Sequence, residues 1–355
     1  MSASTTHQSS PSCPSSLVTA TLQLHYLAEG AANIIYSVSV LSPPSLQHHS
    51  HCCVMRLRKD LPFTTPAGQV VSDFQSRIAP LFTKKHKSLL MEQALYKFTP
   101  EMVSEANAEL RQMDTVDESA VSAQGDVNAR KIRPRHRRHV YLPSYDNEQH
   151  GILMQNLQGP GIDWLVEFKP KWLVQSPSAP RDARNCRTCA LNAKRRKAGA
   201  HQGRGDSGFC PLDLLADQDA VLERTLANIW PLEDGVDTFV AAFRAQVQPA
   251  LRHLQSLQEE HGSVGLDDYL NPDGKDFGVA MALRDCSVFL ALKRRTDPVA
   301  GDVDIVDVKL ADLDLKTTEG GKVQKWAATE QELLEGGWYQ NLDGSNCRIS
   351  RQQPS

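Results

Sequence analysis

The sequence predicts a mixed strand-and-helix protein in two lobes, on three observations. First, 355 residues are enough for two domains, or for two lobes of one. Second, strand-like runs near 17–40, 52–59, 151–157, 164–169 and 303–316 interleave with helical periods at 85–112, 217–229, 236–259 and 325–338. Third, the apolar run Gly151-Ile152-Leu153-Met154 opens onto the short polar pair Gln155-Asn156, which resembles a hinge between lobes; a buried strand ending in a turn is the other reading.

Composition narrows the function. Hydrophobic content of 40%, charged content of 23% and a formal net charge of -3 are ordinary for a globular chain and argue against a dedicated nucleic-acid binder. The basic residues nevertheless cluster, at 130–139 and again at 181–204. A nearly neutral protein with basic islands suits a small, highly anionic ligand better than a long duplex. The 130–139 cluster also reads as a nuclear address. No apolar run is long enough for a membrane span, so no membrane partner is expected. The Ser/Thr/Pro-rich residues 1–16 read as a disordered tail, and 114–130 as a loop or disordered insert. Eight cysteines without a secreted-scaffold spacing point to a reducing compartment, nuclear or cytoplasmic.

Taken in order, Leu17 to Val40 reads as two strands around Gly30-Ala31-Ala32-Asn33. Small residues there let a bound group approach the backbone; Gly30 can adopt positive φ, and successive N–H groups can cradle phosphates. An ordinary hairpin turn is the simpler alternative. The strand 52–59 places Arg56 and Arg58 on one face, an arrangement suited to nucleotide phosphates. Residues 85–112 have helical apolar spacing, with Pro100 inside the run. Trp164 to Trp172 is a strand that Pro170 must end, with Lys169 and Lys171 two apart and able to face one side.

Cys186-x-x-Cys189, with His201 and Cys210 downstream, fits a zinc site loosely; buried structural cysteines are the other reading. The helix 236–259 carries Phe239, Phe243, Val247, Leu251 and Leu254 at core spacing. Residues 278–292 read as strand, short break, strand. The run 303–316 alternates like a half-buried strand, so Asp312 and Asp314 face the same way and can offer paired oxygens to Mg²⁺. A last helix at 325–338 carries Trp326, Leu333, Leu334 and Trp338.

In the same order, Glu29-Gly30-Ala31-Ala32-Asn33, Val54-Met55-Arg56, Glu167-Phe168-Lys169-Pro170-Lys171, Pro211-Leu212-Asp213-Leu214, Arg284-Asp285-Cys286-Ser287 and Asp312-Leu313-Asp314-Leu315-Lys316 resemble the inositol-pentakisphosphate 2-kinases. Cys186-Arg187-x-Cys189 resembles the fungal branch. The resemblance implies an α+β, two-lobed, kinase-like fold of the inositol polyphosphate kinase type, with antiparallel sheets and flanking helices. It implies an N-lobe at 17–154, a C-lobe at 155–345 and a short tail at 346–355. It implies transfer of the ATP γ-phosphoryl, with Mg²⁺, to the 2-hydroxyl of inositol 1,3,4,5,6-pentakisphosphate, giving inositol hexakisphosphate (phytate).

By motif, the resemblance assigns Gly30, Ala31, Ala32, Asn33 and Arg56 to the ATP phosphates, and Gln155 and Asn156 to the hinge and nucleotide. It assigns Lys169 to the transferring phosphoryl group, Asp312 to Mg²⁺ and the hydroxyl proton, and Asp314 to the metal. Lys171, Arg187, Lys194, Arg195 and Lys325 are the expected substrate cations, with Lys322 a further candidate. Some family features are missing: Ala28 stands where a glycine is usual, Leu157 where a histidine is usual, and 235–245 lacks the Asn-x-x-Arg contact. The expected protein is a monomer acting on a small molecule. A non-catalytic inositol polyphosphate-binding protein derived from that fold is the alternative. A basic RNA adaptor ranks below both, because its basic stretches lack interleaved aromatics for stacking.

Overall fold

The computed structural model describes residues 15–115, 133–199, 208–230, 236–270, 276–295, 303–340 and 346–352. Residues 1–14 of the expected tail, most of the insert 114–130, and His201 lie outside them, whereas Ser15 and Ser16 of that tail open a 3-10 helix, Ser15–Thr19. Two antiparallel sheets with helices make the protein α+β. The chain divides into two units, residues 9–75 with 91–159, and residues 76–90 with 160–355. Among the described residues no helix is long and apolar enough to cross a membrane.

The first unit is built on strands β1 (Thr21–Glu29), β2 (Asn33–Ser42), β3 (Cys53–Arg58), β4 (Gln93–Lys97) and β5 (His150–Gln155). They pair in the order β1-β2-β3-β5-β4. Strict alternation drives one face inward: Ile34, Tyr36, Val38 and Val40 from β2, and Cys53, Met55 and Leu57 from β3. That face packs on the helix Pro100–Asp114 through Val103, Ala106 and Leu110. Thr99 caps this helix by accepting the Met102 N–H at 3.4 Å, and Pro100 occupies its first turn, where its missing N–H costs nothing. The expected helix over 85–112 is therefore corrected. Gln93–Lys97 is strand β4, beside β5, and the helix starts only at the proline.

The second unit holds β6 (Trp164–Phe168), β7 (Ser287–Arg294) and β8 (Val303–Ala311), in the order β6-β7-β8. Helices pack around it. The expected strand at 278–285 is instead the helix Phe277–Asp285, with Asp276 capping the Val279 N–H at 3.2 Å. Val279 to Arg284 are all buried, and a helix buried all round has no apolar stripe to distinguish it from a buried strand. The expected helix 236–259 is two, Val236–Gln246 and Gln248–His261, the second with Pro249 in its first turn. The segment 76–90 belongs to this unit: Leu90 bridges Leu310, Lys309 Nζ donates to the Ser88 carbonyl at 2.5 Å, and His86 stacks on His253 at 3.8 Å.

Candidate active site

In the second unit, the antiparallel register brings one end of each strand together. Phe168 at the end of β6 pairs with Val288, and Ser287 at the start of β7 pairs with Ala311 at the end of β8. Three short connections leave this edge. Lys169 and Lys171 follow β6, Asp285 ends the helix before β7, and Asp312 follows β8.

Their side chains converge. Lys169 Nζ donates to Asp312 Oδ2 at 2.8 Å and to the Asp285 carbonyl at 2.6 Å. Lys171 Nζ donates to Asp285 Oδ1 at 2.9 Å. Lys316 Nζ lies 3.3 Å from Asp312 Oδ1 and 3.9 Å from Asp285 Oδ2. Three ammonium groups thus interlock with two carboxylates. Burial alone would raise the Asp312 carboxyl, but Lys316 and Lys169 outweigh it and hold the group below its usual range. Burial likewise opposes charge on Lys169, but Asp312 and Asp285 raise its pKa and keep it an ammonium.

Two of these residues sit in the left-handed backbone region, Lys171 at φ 55° and Asp312 at φ 56°. Such conformations cost of order 1–3 kcal/mol for non-glycine residues and persist only where the surroundings enforce them. Buried Gln258 enforces the first: its Nε2 donates to the Lys171 and Leu283 carbonyls, both at 2.9 Å, and its Oε1 accepts the Leu173 N–H at 2.8 Å. Asp312 is where β8 stops, which corrects the expected strand through 316. The alternation argument for pairing Asp312 with Asp314 therefore fails, because neither lies on the strand. Asp314 is half-buried in the extension that follows.

The expected substrate cations are distributed differently. Arg187 is interior: its Nε contacts the buried Glu330 at 2.9 Å and its guanidinium lies 4.6 Å from the Trp172 ring. Glu330 also accepts from Ser176 and Tyr339, both at 2.6 Å. Arg187 is thus a core cation rather than part of a solvated island. Lys194 is bonded to Glu332; Arg195 and Lys325 are exposed.

In the first unit, the Gly30–Asn33 turn joins β1 to β2. Gly30 N–H donates to the Asn33 carbonyl at 2.8 Å, and Lys59 N–H to that of Ala32 at 2.8 Å. Gly30 does not use positive φ, which corrects that expectation; a Cβ there would meet only the Asn33 carbonyl at 3.8 Å. Ala31 and Ala32 are exposed. Arg56 lies on the half-exposed face of β3 with Val54 and Arg58. Gln155 is buried at the end of β5, and Asn156 braces the next turn through Nδ2 to the His51 carbonyl at 2.7 Å and Oδ1 to the Gln158 N–H at 3.0 Å.

The sequence reading named neither Gln258 nor the partnership of Asp285 with the two lysines. Asp285 did stand in a quoted motif, whereas Gln258 has no local signal. A group of four thiols, Cys186, Cys189, Cys210 and Cys347, also comes together, with all sulfurs within 4.8 Å of one another.

A sheet-edge cluster of lysines and aspartates lies in one unit, and a small-residue turn and an arginine-bearing strand lie in the other. A family model described as inositol-pentakisphosphate 2-kinase matches residues 26–260 and 245–332. The chain is 35% identical over 234 residues to the inositol-pentakisphosphate 2-kinase of Yarrowia lipolytica, covering 59% of this chain and 72% of that protein. The chain belongs to the inositol-pentakisphosphate 2-kinase family.

Proposed function

We propose that this chain is an ATP-dependent inositol-pentakisphosphate 2-kinase with a two-lobed, kinase-like architecture. It moves the γ-phosphoryl of ATP to the 2-hydroxyl of inositol 1,3,4,5,6-pentakisphosphate and makes inositol hexakisphosphate. The observation that carries the reading is the contact of Lys169 with Asp312, joined by Asp285, Lys171 and Lys316. Phosphoryl transfer asks little covalent chemistry of a protein. It asks for in-line positioning and positive charge around the equatorial oxygens.

In this reading Asp312 accepts the proton of the attacking hydroxyl, its ionised state secured by two lysines. Lys169 faces the phosphoryl group in flight. Lys171, Lys194, Arg195 and Lys325 hold substrate phosphates, while Arg187 acts from the core by fixing Trp172, next in sequence to Lys171. Gly30, Ala31, Ala32, Asn33 and Arg56 hold the ATP phosphates, and Gln155 and Asn156 the rest of the nucleotide. Carboxylate oxygens suit Mg²⁺: Asp312 and Asp285 share the lysines Lys169 and Lys316, and Asp314 follows two residues later. Asp312, with Asp314 or Asp285, would hold the ion, which when bound neutralises charge on the phosphate oxygens.

The test incubates a panel of inositol phosphates with Mg-ATP and resolves the products, for wild type and Asp312→Asn. Wild type converts the pentakisphosphate to the hexakisphosphate, and the variant loses roughly a thousandfold in turnover while staying folded. A wild type that consumes no inositol phosphate, or a variant as active as wild type, defeats the proposal.

A further inference from the structure

Four cysteines from three distant parts of the sequence meet in one buried group. Cys186 and Cys189 open the helix Arg187–Lys197, Cys210 precedes the turn Pro211–Leu215, and Cys347 precedes the helix Arg348–Gln352. Cys186 Sγ lies 3.9 Å from Cys210 Sγ, which lies 3.7 Å from Cys347 Sγ. These are not disulfide distances, and none of the four is in a disulfide. Four sulfurs around a tetrahedral zinc at about 2.3 Å would lie about 3.8 Å apart. The backbone is arranged for thiolates as well: the Cys186 N–H donates to Cys347 Sγ at 3.1 Å and the Cys189 N–H to Cys186 Sγ at 3.5 Å. The packing sets four polarisable sulfurs against one another with Leu212 and Ile349 alongside.

We infer that Cys186, Cys189, Cys210 and Cys347 bind one structural zinc ion. The site is separate from the lysine–aspartate cluster and independent of the kinase reading. It clips the C-terminal segment to the body of the unit, where Arg348 donates to the Leu212 carbonyl at 2.7 Å, Ser350 to the Arg184 carbonyl at 2.5 Å, and Arg351 pairs with Asp213. The ligand set takes Cys347 in place of the expected His201.

The test measures metals in the full-length protein purified from zinc-supplemented medium, then in Cys347→Ser and Cys347→His. Wild type carries about one zinc per chain, a thiol-specific mercurial releases it, and cobalt in its place gives tetrahedral thiolate absorption. The serine variant loses zinc and the histidine variant regains it. Absence of zinc from wild type, iron in its place, or full zinc in the serine variant overturns the inference. The wild-type measurements decide the matter even if the variants fail to fold.

A second inference rests on a different observation, and on the proposed function. Lys59 is 1% exposed, and its Nζ donates to the Gly30 carbonyl at 3.0 Å while pairing with Glu29. Arg133, wholly buried, holds the same carboxylate at 2.9 Å and Asp114 at 2.9 Å. Part of the basic stretch 130–139 is thus locked behind the Gly30–Asn33 turn and is not available to a ligand. Burial would raise the Glu29 carboxyl, yet hydrogen bonds from Arg133 and Lys59 lower it and keep the network ionised.

With the Gly30 and Ala32 carbonyls both tied inward to Lys59, the turn is held in one conformation. We propose Lys59 as the positioning residue for nucleotide phosphates, acting through Gly30. Lys59→Met then raises KM for ATP about tenfold and leaves KM for the inositol phosphate unchanged, with partial recovery in Lys59→Arg. An unchanged KM for ATP, or equal changes in both constants, overturns this role. If Lys59→Met does not fold, Lys59→Arg alone decides, with an intermediate rise in KM for ATP expected. A wild type without ATP turnover rejects the functional reading itself.

Discussion

Lys169 Nζ and Asp312 Oδ2 stand 2.8 Å apart although 143 residues separate them in the chain. They meet because β6 and β8 run parallel on either side of β7, so both strands end at the same edge. The contact is also self-limiting. A lysine neutralised by a carboxylate is free to act on a phosphate only when something else takes up the carboxylate.

Asp285 should behave as the ligand-free placeholder for phosphate. It bonds Lys171 at 2.9 Å and lies 3.6 Å from Lys169. Asp285→Asn is expected to keep the fold, to lower turnover at least tenfold, and to tighten binding of inositol phosphates without ATP, since one charge competing for the lysines is gone. Calorimetric titration reads the affinity; weaker anion binding would count against the placeholder role.

The pH dependence follows from Lys316. Burial pushes the Asp312 carboxyl upward, but Lys316 and Lys169 bring it below its ordinary value. A carboxyl depressed on folding contributes its stabilisation fully above its unfolded pKa and loses it as pH falls through the lowered folded pKa. Lys316→Met should therefore move the acid limb of the kcat/KM profile to higher pH. A limb that does not move would assign it to another group.

The Arg187–Glu330 pair predicts a non-additive result. Side-chain exposure is 10% for Arg187 and 0% for Glu330, so Arg187→Met strands a buried carboxylate and should cost roughly 3–5 kcal/mol. Pairing it with Glu330→Gln should recover much of that loss in denaturant melts. Simple additivity would mean the two groups do not sense each other.

Gly151 is required by space rather than by conformation. A Cβ there would stand 2.4 Å from Phe98 Cζ, 2.7 Å from Leu57 Cδ2 and 2.8 Å from Met55 Sδ. Gly151→Ala should destabilise the first unit by about 1–3 kcal/mol, read by thermal or urea unfolding. A neutral substitution would mean that these side chains repack freely.

The parts of the site legible in the sequence were the local ones. Lys169 and Lys171 beside Pro170, and the aspartate run at 312–316, announce a strand end with charges, and the structure brings the two together. The strands β1, β2 and β3 were legible as two strands around Gly30 and a third at 52–59. What stayed hidden was set by distant partners. Gln258 acts on Lys171 from a helix whose visible pattern is only its leucines, and Cys347 joins cysteines far upstream. Arg187 was expected among the substrate cations, and its pairing with Glu330 stayed hidden because that partner lies 143 residues on. The helix Phe277–Asp285 was misread because burial on every side erases the periodicity that would reveal it.

The excursion of residues 76–90 bears on how this protein can be dissected. That stretch covers the outer strand β8, with Leu90 along Leu310 and Ser88 accepting from Lys309. A fragment begun at Pro160, where the second unit resumes, would leave this border bare, an invitation to sticky self-association. A fragment of the second unit should keep residues 76–90 with it, and truncations drawn from the linear map should be designed accordingly.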